Sequence, residues 1–334
     1  MRRRVAAIVL VLAGCVAPPP RPGEEAPRRG DEISVCGRLF HTGTRVVLWN
    51  DPGGYDHYRV EPKWPDEFPD DADPALLEPS PRYSWRSYDV PEALLARAKE
   101  RGWTLDDLRT VIDQFVVHYD ACGTSRRCFQ VMHDERHLSV HFLLDVDGTI
   151  YQTLDVKEKG WHATRANSRS IGVEIAQIGA YDAPDHERLE TWYEADDDGV
   201  RITIPPELAE RSGFAGETFR PAREVRFEGT RNDRRLWQYD FTDAQYEALA
   251  KLVATLHRVF PSIALTVPRD ASGAVLDRAL TDEEFAGYRG LLGHEHVQAN
   301  KVDPGPAFDW ERLLAATRSH AGEADALPAP SPDR

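Results

Sequence analysis

The sequence predicts an α/β (α+β) fold in which helices pack on a mixed central β-sheet. Short apolar runs of β-forming residues alternate with helical stretches, and the Asp147-Gly148 turn signal joins two of these runs as a β-hairpin. A chain of 334 residues could form two or three domains. Several stretches have the composition of surface loops, however, so we expect one large domain.

Four strands are expected in the sheet, at 115–119, 139–144, 149–154 and Ser170–Ile175. The second and third form the hairpin. The first runs through three apolar residues into His118, and the fourth carries Glu174 within an apolar segment, where an unpaired carboxylate is costly.

Helices are predicted at 91–101, at 122–135 and from Thr242 to 260. Pro91 and Gly102 flank the first, Thr242 and Gln245 form a capping box for the third, and Pro261 ends it. Residues 181–241 lack a clear period, and we interpret them as an insertion containing short β elements.

The N-terminal segment has the layout of a secretory signal. Three arginines follow Met1, a short apolar run extends from 5 to 13, and Leu-Ala-Gly-Cys15 resembles the bacterial lipobox. We therefore expect an exported lipoprotein in the cell envelope, lipidated at Cys15 and anchored to a membrane facing the periplasm.

The remaining boundaries follow from composition. We predict a signal peptide at 1–15, a flexible proline-rich tether at 16–32, an N-terminal elaboration at 33–109, a main folded domain at 110–315 and a disordered tail at 316–334. The chain has 41 basic and 56 acidic side chains, a net charge of −15. This balance argues against nucleic acid as a partner, because phosphate contacts need a basic face. We expect a monomer.

Cysteine spacing suggests one local disulfide. Cys122 and Cys128 lie six positions apart, and in an oxidising compartment a bridge is favoured over a metal pair because the chain has no CxxC pair. Cys36 would then be unpaired, or one of the three would pair differently.

The segment from Gly293 to Trp310 concentrates ligand-type side chains in a stretch with little helix or strand character. His294 and Asp303 supply two ligands, and a catalytic zinc usually takes three from the protein. His118, at the end of its apolar strand, is a candidate for the third, although sequence spacing alone does not show that these residues meet. His133 and His137 are interpreted as structural or surface residues.

Four segments, VVHYDA, SVHFLLDVDGTIYQ, GWHATRANSRSIGVEI and GHEHVQANKVDPGPAFDW, occur in this order. Together they resemble the zinc N-acetylmuramoyl-L-alanine amidases of the amidase-2 type, a group that includes the peptidoglycan recognition proteins (PGRPs). The resemblance extends over roughly residues 110–180 and 242–312, and it implies an amidase-2/PGRP-like fold.

The resemblance also implies one zinc ion held by His118, His294 and Asp303, with a position open for water. The gap between His294 and Asp303 is one residue shorter than in the cytoplasmic relatives, so His296 is a rival second ligand. Tyr119 replaces a polar amide found in some relatives, which bears on substrate contacts rather than on the metal.

Catalytic and substrate contacts are implied in the same way. Glu174 matches the candidate general base, and Lys301 matches the lysine thought to stabilise the oxyanion. Four residues of one loop are expected to line the muropeptide groove or to surround the metal: Trp161, His162, Arg165 and Asn167. Arg165 could pair with a carboxylate of the stem peptide.

The implied function is zinc-dependent hydrolysis of the amide between the lactyl group of N-acetylmuramic acid and L-alanine, in peptidoglycan or muropeptides. Two alternatives remain open at this point: a peptidoglycan-binding module of the same fold that does not cleave, and a zinc peptidase acting on stem peptides.

Overall fold

The computed structural model describes residues 20–87 and 90–322. The predicted signal peptide, with Cys15, lies outside the described residues. The strands are β1 Glu32–Val35, β2 Arg38–His41, β3 Val46–Leu48, β4 Tyr83–Ser84, β5 Gln114–Tyr119, β6 Phe142–Leu144, β7 Ile150–Gln152, β8 Lys159–Gly160, β9 Ser170–Ile175, β10 Tyr193–Asp196, β11 Gly199–Ile202, β12 Phe227–Arg231, β13 Arg234–Gln238 and β14 Gly290–Gly293.

The described residues also form nine α-helices, from 4 residues in the shortest to 17 in the longest. They are α1 Glu92–Arg101, α2 Leu105–Arg109, α3 Ser125–Phe129, α4 Glu187–Trp192, α5 Pro206–Ser212, α6 Asp243–Val259, α7 Asp282–Gly287, α8 His294–Val297 and α9 Trp310–Ala321. A π-helical turn at Gln130–Glu135 continues α3. In the described part of the chain, every helix is too short or too polar to cross a bilayer.

A six-stranded mixed sheet forms the centre of the molecule, in the order β14-β5-β9-β6-β7-β3. The pairs from β14 through β6 are parallel, β6 and β7 are antiparallel, and β3 joins β7 in parallel. The predicted fold class and the β6–β7 hairpin are therefore confirmed. The structure adds β3, from the N-terminal region, to the edge of this sheet.

The main hydrophobic core lies on one face of the sheet. The long helix α6 begins at the predicted Thr242 capping box and packs on this face beside α9. Phe115 and Val117 of β5 point into this core. Because strand side chains alternate between faces, Val116 and His118 point to the opposite face, which α6 leaves uncovered.

Two predicted flexible segments differ from the structure. From Gly23 onward, the residues assigned to the tether bond to the domain: the Gly23 N–H donates to the carbonyl of His41, and Arg28 donates to the carbonyl of Val46 at 2.7 Å. At the other end, residues 316–321 belong to α9 rather than to a disordered tail. Leu313, Leu314 and Thr317 bury one face of this helix, which packs against α6. Residues 323–334 lie outside the described residues.

The predicted insertion is built from two hairpins, β10–β11 and β12–β13, with α4 and α5. It has its own apolar cluster around Leu189, Trp192 and Tyr193. The β12–β13 turn contacts the metal-ligand segment, as shown below.

Candidate metal centre

The parallel strands bring the predicted ligands to one edge of the sheet. His118 lies near the carboxyl end of β5, and its register partner on β9 is Glu174. His294 begins α8 directly after β14, which pairs with β5 on its other side. Crevices at the carboxyl ends of parallel strands are the usual binding sites of such sheets.

Three side-chain atoms of this edge form a close triangle. The Nδ1 atoms of His118 and His294 lie 3.0 Å apart, and Asp303 Oδ2 lies 2.8 Å from the first and 3.1 Å from the second. Ligands at about 2.0–2.1 Å from a tetrahedral zinc lie about 3.3 Å from one another. The group is buried and its atoms are of the right type, so the predicted set His118, His294 and Asp303 could hold a metal ion.

The charge state of this triangle suits a cation. Burial, and after it the neighbouring His294, lowers the pKa of His118 to about 4. Burial alone would raise the pKa of Asp303, but the adjacent imidazoles of His294 and His118 bring it below its ordinary value. At neutral pH, His118 is therefore neutral and Asp303 is ionised, which are the metal-binding forms.

Both histidines are oriented by outer partners. Nε2 of His294 lies 2.8 Å from Gln298 Oε1, and Nε2 of His118 lies 3.0 Å from Nδ1 of His162. Such contacts fix the tautomer that leaves Nδ1 free to bind a metal. A Cβ at Gly172 would lie 2.5 Å from the His162 ring, so glycine is needed there for His162 to lie against β9.

His296 does not face the triangle. Its Nδ1 accepts the Gly293 N–H at 2.9 Å, and its Nε2 donates to the carbonyl of Leu276 at 2.7 Å. Both ring nitrogens are thus used by the backbone. The structure therefore favours His294 over the rival His296.

Glu174 and Lys301 line the same cavity as the ligands, which has a volume of about 280 Å³. Glu174 Oε1 lies 3.9 Å from His118 Nδ1. Burial raises the pKa of Glu174 well above its ordinary value, and the charges of Asp303 and Asp120 raise it further. A carboxyl group with a raised pKa can both accept and return a proton near neutral pH.

The four predicted groove residues have different surroundings in the structure. Only His162 lines this cavity. Trp161 donates its indole N–H to Ser84 Oγ at 3.2 Å, and Asn167 Oδ1 accepts the backbone N–H groups of His162 and Ala163.

Arg165 is directed away from the metal cavity. It pairs with Asp282 at 2.7 Å, donates to the carbonyl of Leu280 and lies 4.1 Å over the Phe285 ring. The predicted contact of Arg165 with a stem-peptide carboxylate therefore has no support in this geometry, because the guanidinium already has partners.

The predicted Cys122–Cys128 disulfide is not formed. Both residues and Cys36 are free thiols. Cys128 is buried beside Phe129 and Met132, with Cys122 packed against this cluster. Burial, followed by a hydrogen bond with Cys122, raises the pKa of the Cys128 thiol.

The insertion contributes support that the sequence reasoning missed. Asn232, at φ +47° in the β12–β13 turn, donates to the carbonyls of Glu295 at 2.9 Å and Lys301 at 2.7 Å. The neighbouring Arg231 pairs with the buried Glu295 at 2.7 Å. These contacts join residues more than 60 positions apart, so the only available signal was the Asn-Asp turn itself.

Comparison with known proteins identifies the family of this chain. Residues 108–306 match the Amidase_2 family, described as N-acetylmuramoyl-L-alanine amidase. Among curated proteins none matches the chain. A selenomethionine derivative of AmpD is 19% identical, with a TM-score of 0.33 over 72% of this chain and 92% of its own.

Two further solved structures are similar. The amidase AmiD from E. coli, in complex with anhydro-N-acetylmuramic acid-L-Ala-D-gamma-Glu-L-Lys, is 18% identical, with a TM-score of 0.34 over 61% of this chain and 57% of its own. The endolysin amidase LysCS from Clostridium intestinale URNW is 15% identical, with a TM-score of 0.32 over 62% of this chain and 84% of its own. The family match extends over more than half of the chain and includes all three candidate ligands, so the chain belongs to the Amidase_2 family of N-acetylmuramoyl-L-alanine amidases.

Proposed function

We propose that this protein is a zinc-dependent hydrolase of the amide between the lactyl group of N-acetylmuramic acid and L-alanine. The observation that carries the proposal is the triangle of His118, His294 and Asp303 in one cavity with Glu174. A zinc ion at such a site lowers the pKa of water to near 7 and polarises a carbonyl. The family match supplies the substrate class.

Glu174 is the proposed proton carrier. Hydrolysis adds the hydroxyl of water to the acyl carbon and a proton to the amine nitrogen as the C–N bond breaks. Glu174 faces the ligand side of the cavity and has a raised pKa, so it can take the proton of the attacking water and return it to the leaving amine.

Lys301 is proposed to stabilise the oxygen that gains negative charge. It lines the cavity two residues before Asp303, and its ammonium group has no hydrogen-bond or ion-pair partner in the described ranges 20–87 and 90–322. A cation held beside the developing oxyanion favours the transition state over the ground state. His162 is proposed to orient His118 rather than to bind substrate, because its Nδ1 faces that ring.

Digestion of purified peptidoglycan tests this function. The protein is incubated with the substrate in the presence of zinc or of a chelator, and the products are identified by mass spectrometry. We expect free lactyl carboxyls paired with new L-alanine amines, lost with the chelator and in a Glu174→Gln variant. Cuts within the stem would instead show a peptidase, and binding without cleavage would show a recognition module.

We also propose that the protein is an exported lipoprotein, on the motif Leu-Ala-Gly-Cys15 after a short apolar run. Acyl chains on Cys15 would hold the domain at a membrane of the cell envelope. Labelling cells with a fatty-acid probe tests this: the native chain should be labelled and a Cys15→Ala variant should not. Equal labelling of both would refute lipidation at Cys15.

A further inference from the structure

A second and larger cavity, of about 710 Å³, lies beside the metal cavity. The two share a wall formed by residues 120–122 together with Val131 and Arg136. The far side of the larger cavity is formed by α4 and α5 of the insertion, including Arg188 and Leu208. The insertion therefore extends the site outward from the metal edge.

The second cavity is lined by five arginines and by four acidic residues, Glu67, Asp120, Glu135 and Glu207. Three of the five guanidinium groups already have carboxylate partners: Arg126 with Glu67, Arg127 with Glu135, and Arg211 with Glu67 and Glu207.

The other two guanidinium groups, those of Arg136 and Arg188, form no ion pair with any described residue. Arg188 has only a long hydrogen bond, 3.4 Å, to the carbonyl of Ala121, and Arg136 has no side-chain hydrogen bond within the same ranges. Both side chains are exposed. Guanidinium groups without a carboxylate partner at the rim of a cavity are suited to bind carboxylates of a ligand.

We propose that this cavity binds the stem peptide of the substrate, with Arg136 and Arg188 holding its free carboxylates. The inference rests on the proposed amidase function and adds to it the direction in which the substrate lies. The glycan side of the scissile amide is uncharged, since its lactyl carboxyl is the acyl group of that bond. In the tripeptide L-Ala-D-γ-Glu-L-Lys, the peptide side carries two free carboxylates: the α-carboxylate of D-γ-Glu and the C-terminal carboxylate of L-Lys.

The order of the lining residues fits this placement. An extended peptide advances about 3.5 Å per residue, so the third residue of the stem lies roughly 10 Å from the scissile bond. The shared wall begins at Asp120, two residues after His118. In this placement the L-alanine amine leaves toward the insertion. Arg136, which lines both cavities, is placed to meet the first free carboxylate, and Arg188 to meet the second.

Matched substrates test the inference. The first is N-acetylmuramoyl-L-Ala-D-γ-Glu-L-Lys, and the second is the same molecule with both free carboxylates converted to carboxamides, which keeps the shape and removes the charge. We expect wild-type protein with zinc to show a KM about 10–100-fold lower for the acidic substrate, with similar kcat. In Arg136→Ala and Arg188→Ala, the KM for the acidic substrate should rise and the preference should shrink.

Arg220→Ala is the matched control, because Arg220 also belongs to the insertion but pairs with Asp196 at 2.8 Å and does not line the cavity. It should keep the preference of the wild type, and Arg188→Lys should keep part of it. If the alanine variants change KM equally for both substrates, the two arginines only support the packing of the cavity. If the wild type does not prefer the acidic substrate over the carboxamide, the inference is wrong.

Equilibrium binding separates this inference from the amidase function. The Glu174→Gln variant, loaded with zinc, is titrated with both compounds. If the wild type cleaves neither compound but the titration shows the carboxylate preference, only the amidase function fails. If the wild type cleaves both equally and the titration shows no preference, only the peptide cavity fails.

Discussion

The choice between His294 and His296 gives the sharpest test of the metal centre. Both are buried residues of α8, two positions apart. Residues two apart on an α-helix point about 200° from each other, so they face different surroundings. His294 faces Asp303 and His118, whereas His296 bonds to the backbone of Gly293 and Leu276. Alanine at each position therefore removes a different kind of interaction.

For His296→Ala the loss is one of stability. Two hydrogen bonds, at about 1 kcal/mol each, disappear along with the packing of a buried ring, for a total of about 3 kcal/mol. In a domain of this size that lowers the Tm by about 10 °C. For His294→Ala the loss is one of metal affinity. Removing a direct ligand should weaken zinc binding more than the 10–100-fold that an outer partner contributes.

The assay compares zinc content after dialysis with thermal unfolding in the presence and absence of zinc. Zinc should raise the Tm of wild type and of His296→Ala, because an ion that binds only the folded state stabilises it by mass action. It should hardly change the Tm of His294→Ala. If His296→Ala loses the metal while His294→Ala retains it, the ligand assignment is wrong.

Three further outcomes are expected. Glu174→Gln should lower kcat by about 10²–10⁴-fold with zinc binding retained, and unchanged kcat would remove its role as proton carrier. The Nδ1 atoms of the buried residues His57 and His133 lie 3.1 Å apart, and burial lowers the pKa of His133 to about 4. Between about pH 6.5 and pH 4, the imidazole of His133 is therefore protonated in the unfolded chain but not in the folded one. The free energy of unfolding should fall over this range by up to about 1.4 kcal/mol per pH unit. Denaturant unfolding should show a smaller loss in His133→Gln, and identical pH profiles would contradict the reasoning. Arg165→Ala should lower the free energy of unfolding by about 1 kcal/mol, as measured with urea, because its guanidinium is paired with Asp282. For the same reason it should leave KM unchanged. A large rise in KM would show that Arg165 binds the substrate after all.

Local sequence patterns determined the elements that hold the site. The apolar run before His118 predicted β5, the segment around Glu174 predicted β9, and Thr242 with Gln245 predicted the start of α6. These predictions succeed because strand and helix formation depends on neighbours a few positions apart, and a buried strand or a capped helix has a short, readable signal. The family motifs named the three ligands for the same reason, since each lies in a compact segment.

Only the tertiary structure decided which groups meet. The orientation of His294 depends on how α8 begins after β14, and the engagement of Arg165 depends on α7, more than 110 positions away. The prediction of disorder from residue 316 onward was wrong for residues 316–321 for the same reason. These residues are helical because α9 packs on α6, and their own polar and alanine-rich sequence does not show this contact. The cavity between core and insertion, with Arg136 and Arg188 on opposite walls, exists because two distant segments fold against each other. Long-range packing of this kind leaves no periodic trace in the sequence, so its consequences for substrate binding become visible only in three dimensions.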